Sequence, residues 1–107
     1  MDCIFCKIIA GEMGTEFAYE DEHVVAFRDL RPHAPVHLLV IPKTHVKEFS
    51  VLDDDKILPS VRKALRHLIS ENNLQDRGYR IEVNGGGAQL VDHLHFHLLG
   101  PVPKPQV

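Results

Sequence analysis

Positions 93–99 read His-Leu-His-Phe-His-Leu-Leu, and no other stretch constrains the fold as tightly. Successive side chains on a β-strand point to opposite faces. As a strand, this segment puts His93, His95 and His97 on one face and Leu94, Phe96 and Leu98 on the other. The second face has to pack inward, so the sheet needs an apolar layer behind it. Three aligned imidazoles make a poor solvent face and a poor core face unless polar partners surround them. The strand therefore asks for a sheet with a packed rear and a chemically active front.

The remaining pattern supplies both layers. Ile4, Phe5, Ile8 and Ile9 recur on one face of a short helix, with Asp2 placed to cap it and Gly11 to stop it. Residues 15–19 and 23–28 read as two strands of a hairpin turning at Glu20-Asp21-Glu22. A rigid loop marked by Pro32 and Pro35 leads to a strand at 37–41, ended by Pro42. Asp53-Asp54-Asp55 suits the positive end of a long helix, and Pro59 is tolerated in its first turn. Ile57, Leu58, Val61, Ala64, Leu65, Leu68 and Ile69 form that helix's apolar stripe, which ends near Asn72-Asn73. Residues 79–83 alternate as a strand, Gly85-Gly86-Gly87 breaks it, and Gly100-Pro101 ends the strand begun at His93. The expected fold is α+β: an antiparallel sheet of about five strands with one long and one short helix. At 107 residues, the chain is expected to be one domain spanning residues 1–107.

Charge and hydropathy exclude several functions. The formal net charge of −3 argues against a nucleic-acid grip driven by bulk charge, though not against a nucleotide site. No apolar run approaches the ~18–20 residues of a membrane span. No basic stretch followed by an apolar one opens the chain, so the expected compartment is the cytoplasm, where thiols stay reduced.

Three in-line histidines fit two chemistries. One is a triple-histidine metal centre with a metal-bound water as nucleophile. The other is nucleophilic attack by one imidazole while its neighbours bind an anion or orient it. Asn84-Gly85-Gly86-Gly87-Ala88-Gln89 lies just upstream, and a glycine-rich turn can aim backbone N–H groups at an anion. Beside an imidazole nucleophile, that suggests phosphate. A neutral imidazole also avoids the repulsion that an anionic nucleophile meets at a phosphoryl centre, and nearby donors can stabilise charge on its oxygens. Read on their own, Ile4, Phe5, Ile8 and Phe27 are core residues and Asp29 is a loop cap. His23, His33 and His67 read as surface or loop residues. Cys3 and Cys6 form C-x-x-C, which suits a metal knuckle, a redox pair or two free thiols.

The run from His93 to Leu99 resembles the histidine-triad motif of the HIT superfamily of nucleotide hydrolases and transferases. Ile4 to Ile9, Ala26 to Leu30, Ala34 to Lys43 and Gly78 to Arg80 are similar to its Hint branch, in family order and spacing. The resemblance implies that His95 attacks the α-phosphorus of a nucleotide and carries the nucleotidyl group until water releases a nucleoside monophosphate. It implies His97, Asn84 and Gln89 around the phosphate, His37 behind the histidines, and Asp29 on the ribose hydroxyls. It implies Ile4, Phe5, Ile8, Phe27, Leu30 and Leu39 around a purine base. The expected substrates are purine nucleoside 5′-phosphoramidates or related conjugates. Dinucleoside polyphosphates are the alternative substrates, and a nucleotide-binding regulatory protein with incidental catalysis is the alternative class. No catalytic metal is expected. Leu90 departs from the Ser or Thr of many Hint-type sequences, where a hydroxyl can reach the leaving-group atom.

Relatives in the superfamily also imply a structural zinc held by Cys3, Cys6, His45 and His93, which would leave His95 free as nucleophile. They imply a homodimer whose sheets join edge to edge. No nucleic-acid or membrane partner is expected.

Overall fold

The computed structural model describes residues 3–106. Its elements are α1 (Ile4–Ile9), β1 (Tyr19–Glu20), β2 (Val24–Arg28), β3 (Val36–Pro42), α2 (Ile57–Glu71), β4 (Arg80–Val83) and β5 (Phe96–Gly100), with a short 3-10 turn at Phe49–Val51. The five strands form one sheet in the order β1-β2-β3-β5-β4, antiparallel at every junction. The α+β fold with one short and one long helix is as expected.

Alternation sorts the side chains to two layers. Val24 and Ala26 of β2, Leu38 and Val40 of β3, and Phe96 and Leu98 of β5 pack on Ile57, Val61, Ala64, Leu65 and Leu68 of α2. The intervening Val25, Phe27, Leu39 and Ile41 pack on Cys3, Phe5 and Ile8 around α1. β3 lies centrally and is buried on both faces after Val36. Leu94, Phe96 and Leu98 do face the α2 layer, so the three histidines belong to the α1 side.

Several boundaries differ from the sequence reading, and four of them have a clear local reason. α2 begins at Ile57, because Asp54 closes a turn ahead of it: its Oδ1 accepts the Lys56 N–H at 2.7 Å. Leu58 is 42% exposed, one position off the stripe that packs. The first hairpin strand pairs only at Tyr19–Glu20. Its turn is held by Asp21, whose carboxylate accepts from Tyr19 Oη and from the His23 and Val24 N–H groups. β5 begins at Phe96, because residues 93–95 spend their polar groups elsewhere. The Leu94 N–H donates to the Val46 carbonyl at 2.6 Å, and the His93 carbonyl accepts from a side chain. β3 runs through Pro42, whose carbonyl is free to accept from His93.

The helix ends also have identifiable causes. Asp2, expected to cap α1, lies outside the described residues. Cys3 occupies the N-cap, its Sγ accepting the Cys6 N–H at 3.3 Å. α2 ends in a Schellman arrangement: Asn73 adopts a φ of 56°, Asn73 N–H donates to the Ser70 carbonyl, and Leu74 N–H to that of Ile69. Leu74 then folds back fully buried into the α2 layer.

Candidate active site and metal cluster

A cleft of about 490 Å³ opens on the α1 side. The apolar residues Ile4, Phe5, Ile8, Phe27 and Leu39 line it, with Asp29, Leu30, Asn84, His95 and His97. Ten sequence-predicted residues thus share one space. Leu90, expected beside the leaving-group atom, also lines it, as do Thr15, Arg28, Arg31, Ala88 and Val91, which the sequence reading does not single out. Arg28 and Arg31 flank Asp29 in sequence, and that adjacency was a usable signal. Thr15 reaches the cleft from the loop after α1, which no motif announces.

Hydrogen bonds determine the state of each imidazole. The His33 N–H donates to His37 Nδ1 at 3.0 Å. A backbone N–H can only donate, so His37 Nδ1 holds a lone pair and Nε2 carries the proton. His37 Nε2–H then donates to His97 Nδ1 at 2.9 Å, which leaves the proton of neutral His97 on Nε2. His95 Nδ1–H donates to the His93 carbonyl at 2.8 Å. His95 Nε2 is therefore the atom with the free lone pair. Two separate sets of bonds thus place, in the neutral rings, the lone pair of His95 on Nε2 and the proton of His97 on Nε2, with the rings 5.0 Å apart. His33, read as a loop residue, contributes through its backbone.

Burial lowers the pKa of His97, and the neighbouring His95 and His37 lower it further. Burial likewise lowers that of His37, and outweighs the upward pull of Asp29. Both imidazoles are thus neutral at pH 7. The 3.4 Å approach of Asp29 Oδ2 to His37 Nε2 is then a polar contact rather than an ion pair, since the Nε2 proton is directed to His97. The other oxygen of Asp29 accepts the Arg31 N–H at 2.8 Å, so Asp29 is a loop cap and a cleft residue at once.

Gln89 is placed differently from the other expected phosphate residues. It is buried, and its Oε1 accepts the Gly87 N–H at 2.9 Å. Its Nε2 is buried with no hydrogen-bond partner among the described residues. It does not line the nucleotide-sized cleft, but a second cavity beyond Leu90. The turn that carries it requires positive φ at two successive positions, 65° at Gly86 and 96° at Gly87, a conformation side chains resist.

His93 turns away from His95 and His97. Its Nε2–H donates to the Pro42 carbonyl at 2.8 Å, so Nδ1 offers a lone pair toward Cys3 Sγ at 3.3 Å and Cys6 Sγ at 3.6 Å. His45 Nδ1 lies 3.3 Å from Cys6 Sγ. The four donor atoms of Cys3, Cys6, His45 and His93 all fall within 4.8 Å of one another. Tetrahedral zinc with bonds of about 2.3 Å to sulfur and about 2.0 Å to nitrogen puts such atoms about 3.5 Å apart. The donor set and its spacing fit that ion, and the Pro42 carbonyl supplies the outer partner that orients a ligating imidazole. Burial and the adjacent Cys3 push the Cys6 thiol up, a penalty that a bound cation would reverse. His93, His95 and His97 do not form a common metal cluster among the described residues. A second group, Asp29, His37 and His97, has donor atoms equally close, but its imidazole nitrogens are engaged with each other.

Residues 2–107 match the family model described as scavenger mRNA decapping enzyme C-term binding. A HIT family hydrolase from Clostridium thermocellum superposes with a TM-score of 0.90 at 40% identity, covering 99% of this chain and 96% of that one. The chain belongs to the histidine triad (HIT) superfamily. An adenosine 5′-monophosphoramidase of Candida albicans is 41% identical to this HIT chain over 104 residues, 91% of this chain and 68% of the relative. A zinc-bound histidine triad family protein from Mycobacterium smegmatis has a TM-score of 0.79 at 32% identity, covering 92% and 74% of the two chains. The HIT chain is thereby a member of a hydrolase family. No helix among its described residues is long and apolar enough to cross a membrane.

Proposed function

We propose that this HIT protein hydrolyses purine nucleoside 5′-phosphoramidates or related nucleotide conjugates through a nucleotidyl-His95 intermediate. The observation that carries the reading is the tautomer that the hydrogen bonds select in each neutral ring, with the lone pair of His95 on Nε2 beside the Nε2–H of His97. The purine lies among Ile4, Phe5, Ile8, Phe27, Leu30 and Leu39, and Asp29 holds the ribose hydroxyls. His95 Nε2 attacks the α-phosphorus, and the bond to the leaving nitrogen breaks. The ring becomes cationic, and its Nδ1–H bond to the His93 carbonyl strengthens as that charge develops. His97 Nε2–H and Asn84 hold the phosphoryl oxygens. Water then attacks phosphorus and frees the nucleoside monophosphate. Over both steps one water is consumed: a hydrogen ends on the amine and the hydroxyl on phosphorus. The phosphoramidase name of the Candida albicans relative supports this substrate class.

Cys3, Cys6, His45 and His93 would hold a structural zinc, whose charge would tie the start of α1 to the segment carrying His95. The zinc-bound Mycobacterium smegmatis relative supports that assignment.

Replacing the nucleophile tests the mechanism. His95→Ala is expected to lower kcat on adenosine 5′-phosphoramidate by several orders of magnitude while nucleotide binding and the circular dichroism spectrum persist. An acid-labile nucleotidyl adduct should be trappable on the wild-type protein. Substantial turnover in His95→Ala would sink the covalent reading.

A further inference from the structure

Hydrolysis through His95 makes no use of C-x-x-C, the other motif of the sequence. Cys3 and Cys6 are the chain's two cysteines, and both are free thiols. We propose that they form a reversible oxidation site: hydrogen peroxide closes Cys3 and Cys6 into a disulfide, and closure dismantles their cluster with His45 and His93. The disulfide rests on the geometry of the two cysteines alone. The loss of metal that follows rests on the zinc reading above.

The first turn of α1 brings the sulfurs together. The Lys7 N–H donates to the Cys3 carbonyl at 3.1 Å, so an α-turn closes over Cys3 to Lys7, and side chains three apart on such a turn share a face. Residues three apart there have Cα atoms about 5 Å from each other, inside the roughly 4.4–6.8 Å that a disulfide spans. Cys3 Sγ already accepts the Cys6 N–H at 3.3 Å. Both sulfurs approach one atom, His93 Nδ1, at 3.3 Å and 3.6 Å, and they lie within 4.8 Å of each other. The remaining approach is a matter of side-chain rotation.

Exposure sets the order of events. Cys6 is half-buried and Cys3 buried, so peroxide meets the Cys6 sulfur first. That sulfur takes one peroxide oxygen as the O–O bond breaks, giving a sulfenic acid and one water. Cys3 Sγ then attacks the Cys6 sulfur. The S–S bond forms, the S–O bond breaks, and the hydroxyl leaves with the Cys3 proton as a second water. The two sulfurs lose two electrons, and peroxide gains them. Where zinc holds the sulfurs as thiolates, solvent supplies both protons. His45 and His93 are then the cluster's remaining donors, too few to close a tetrahedral zinc site. A dithiol reverses the step by exchange. His93 Nε2–H keeps its bond to the Pro42 carbonyl throughout.

The test treats folded, tag-free protein, as isolated and after chelation, with a small excess of hydrogen peroxide. Free thiols, intact mass and zinc released to a metallochromic indicator are read together. Thiols should fall from two per chain to none, and each chain should lose the mass of two hydrogens. Peptide mapping should link Cys3 to Cys6, and dithiothreitol should restore both thiols. Protein that holds zinc should release one ion per disulfide formed. Cys6→Ser should show neither the mass loss nor the intrachain link. Wild-type chains that gain oxygens instead, that cross-link to one another through sulfur, or that keep their thiols after chelation would overturn the oxidation site. A Cys3–Cys6 disulfide formed while zinc stays bound would overturn the dismantling of the cluster. Protein isolated without zinc that still closes the disulfide would uphold the oxidation site and overturn only the zinc reading.

Discussion

The His33 N–H, donating to His37 Nδ1, illustrates how a backbone group sets side-chain chemistry two imidazoles away. Nothing in the spelling of residues 93–97 says which nitrogen of each ring carries a proton. The motif revealed that imidazoles would be grouped; only the folded loop before β3 assigns their tautomers. The assignment has a consequence for pH. His37 and His97 are both held below the ordinary imidazole pKa, chiefly by burial. Asp29 and Glu82 pull both groups the other way and are outweighed, while His33 adds to the lowering of His37. A group whose folded pKa lies below its unfolded value of about 6.5 binds more protons when unfolded below that pH. Its contribution to stability is complete above about pH 6.5 and is lost as pH falls through the folded value. The melting temperature should therefore be level between about pH 7 and 8 and decline on acidification below about 6.5. His37→Gln keeps a donor toward His97 and an acceptor for the His33 N–H, but cannot titrate. Its melting temperature should decline less steeply between pH 6.5 and 5. An unchanged slope in thermal unfolding followed by circular dichroism would show that His37 is not a source of the acid sensitivity.

Elements with a single period were legible in advance, and elements whose ends depend on tertiary partners were not. The stripe of α2 follows from its 3.6-residue repeat, and five of its seven named members are buried. The start of β5 was misplaced because residues 93–95 look like strand but bond to Val46 and to each other. α1 is the instructive case, since six residues are too few for a helix to persist alone in water. Phe5 and Ile8 bury against β2 and β3, and Cys3 and Cys6 face His93 and His45. If zinc joins these four, its binding energy is folding energy for this corner of the molecule. Tag-free protein should then contain about one zinc per chain by elemental analysis. Cys6→Ser should release it and lower the melting temperature by several degrees, on the scale of ~4–8 °C per kcal/mol for a domain of this size. Chelation should speed amide exchange in α1 first, and turnover should persist while the fold does. Zinc-free protein from zinc-supplemented cells would leave Cys3 and Cys6 as free thiols.

At the scale of the whole molecule, the sheet order leaves two edges. β1 is two residues long, too short to template another strand. β4 is exposed along all of Arg80–Val83. Its Ile81 and Val83 pair with Leu98 and Phe96, so they share the face that α2 covers further along the sheet. Yet Ile81 is 43% and Val83 38% exposed, because α2 packs over β1, β2 and β3. An edge with unpaired backbone groups and an uncovered apolar row is a site for strand addition. A second copy of β4, related by a two-fold axis, would satisfy both needs and make one continuous ten-stranded sheet, the homodimer that the resemblance implies. The same edge places Glu82 opposite His97 in β5, one strand from the reactive imidazoles. Light scattering should then give twice the chain mass at micromolar concentration. Ile81→Lys with Val83→Lys puts like charges across the two-fold axis and removes the apolar row. That variant should run as a folded monomer, with an unchanged circular dichroism spectrum at low concentration. Phosphoramidate turnover in the monomer should fall, because Asn84 directly follows the disrupted edge. A wild-type protein that stays monomeric across the micromolar range would remove β4 as an interface.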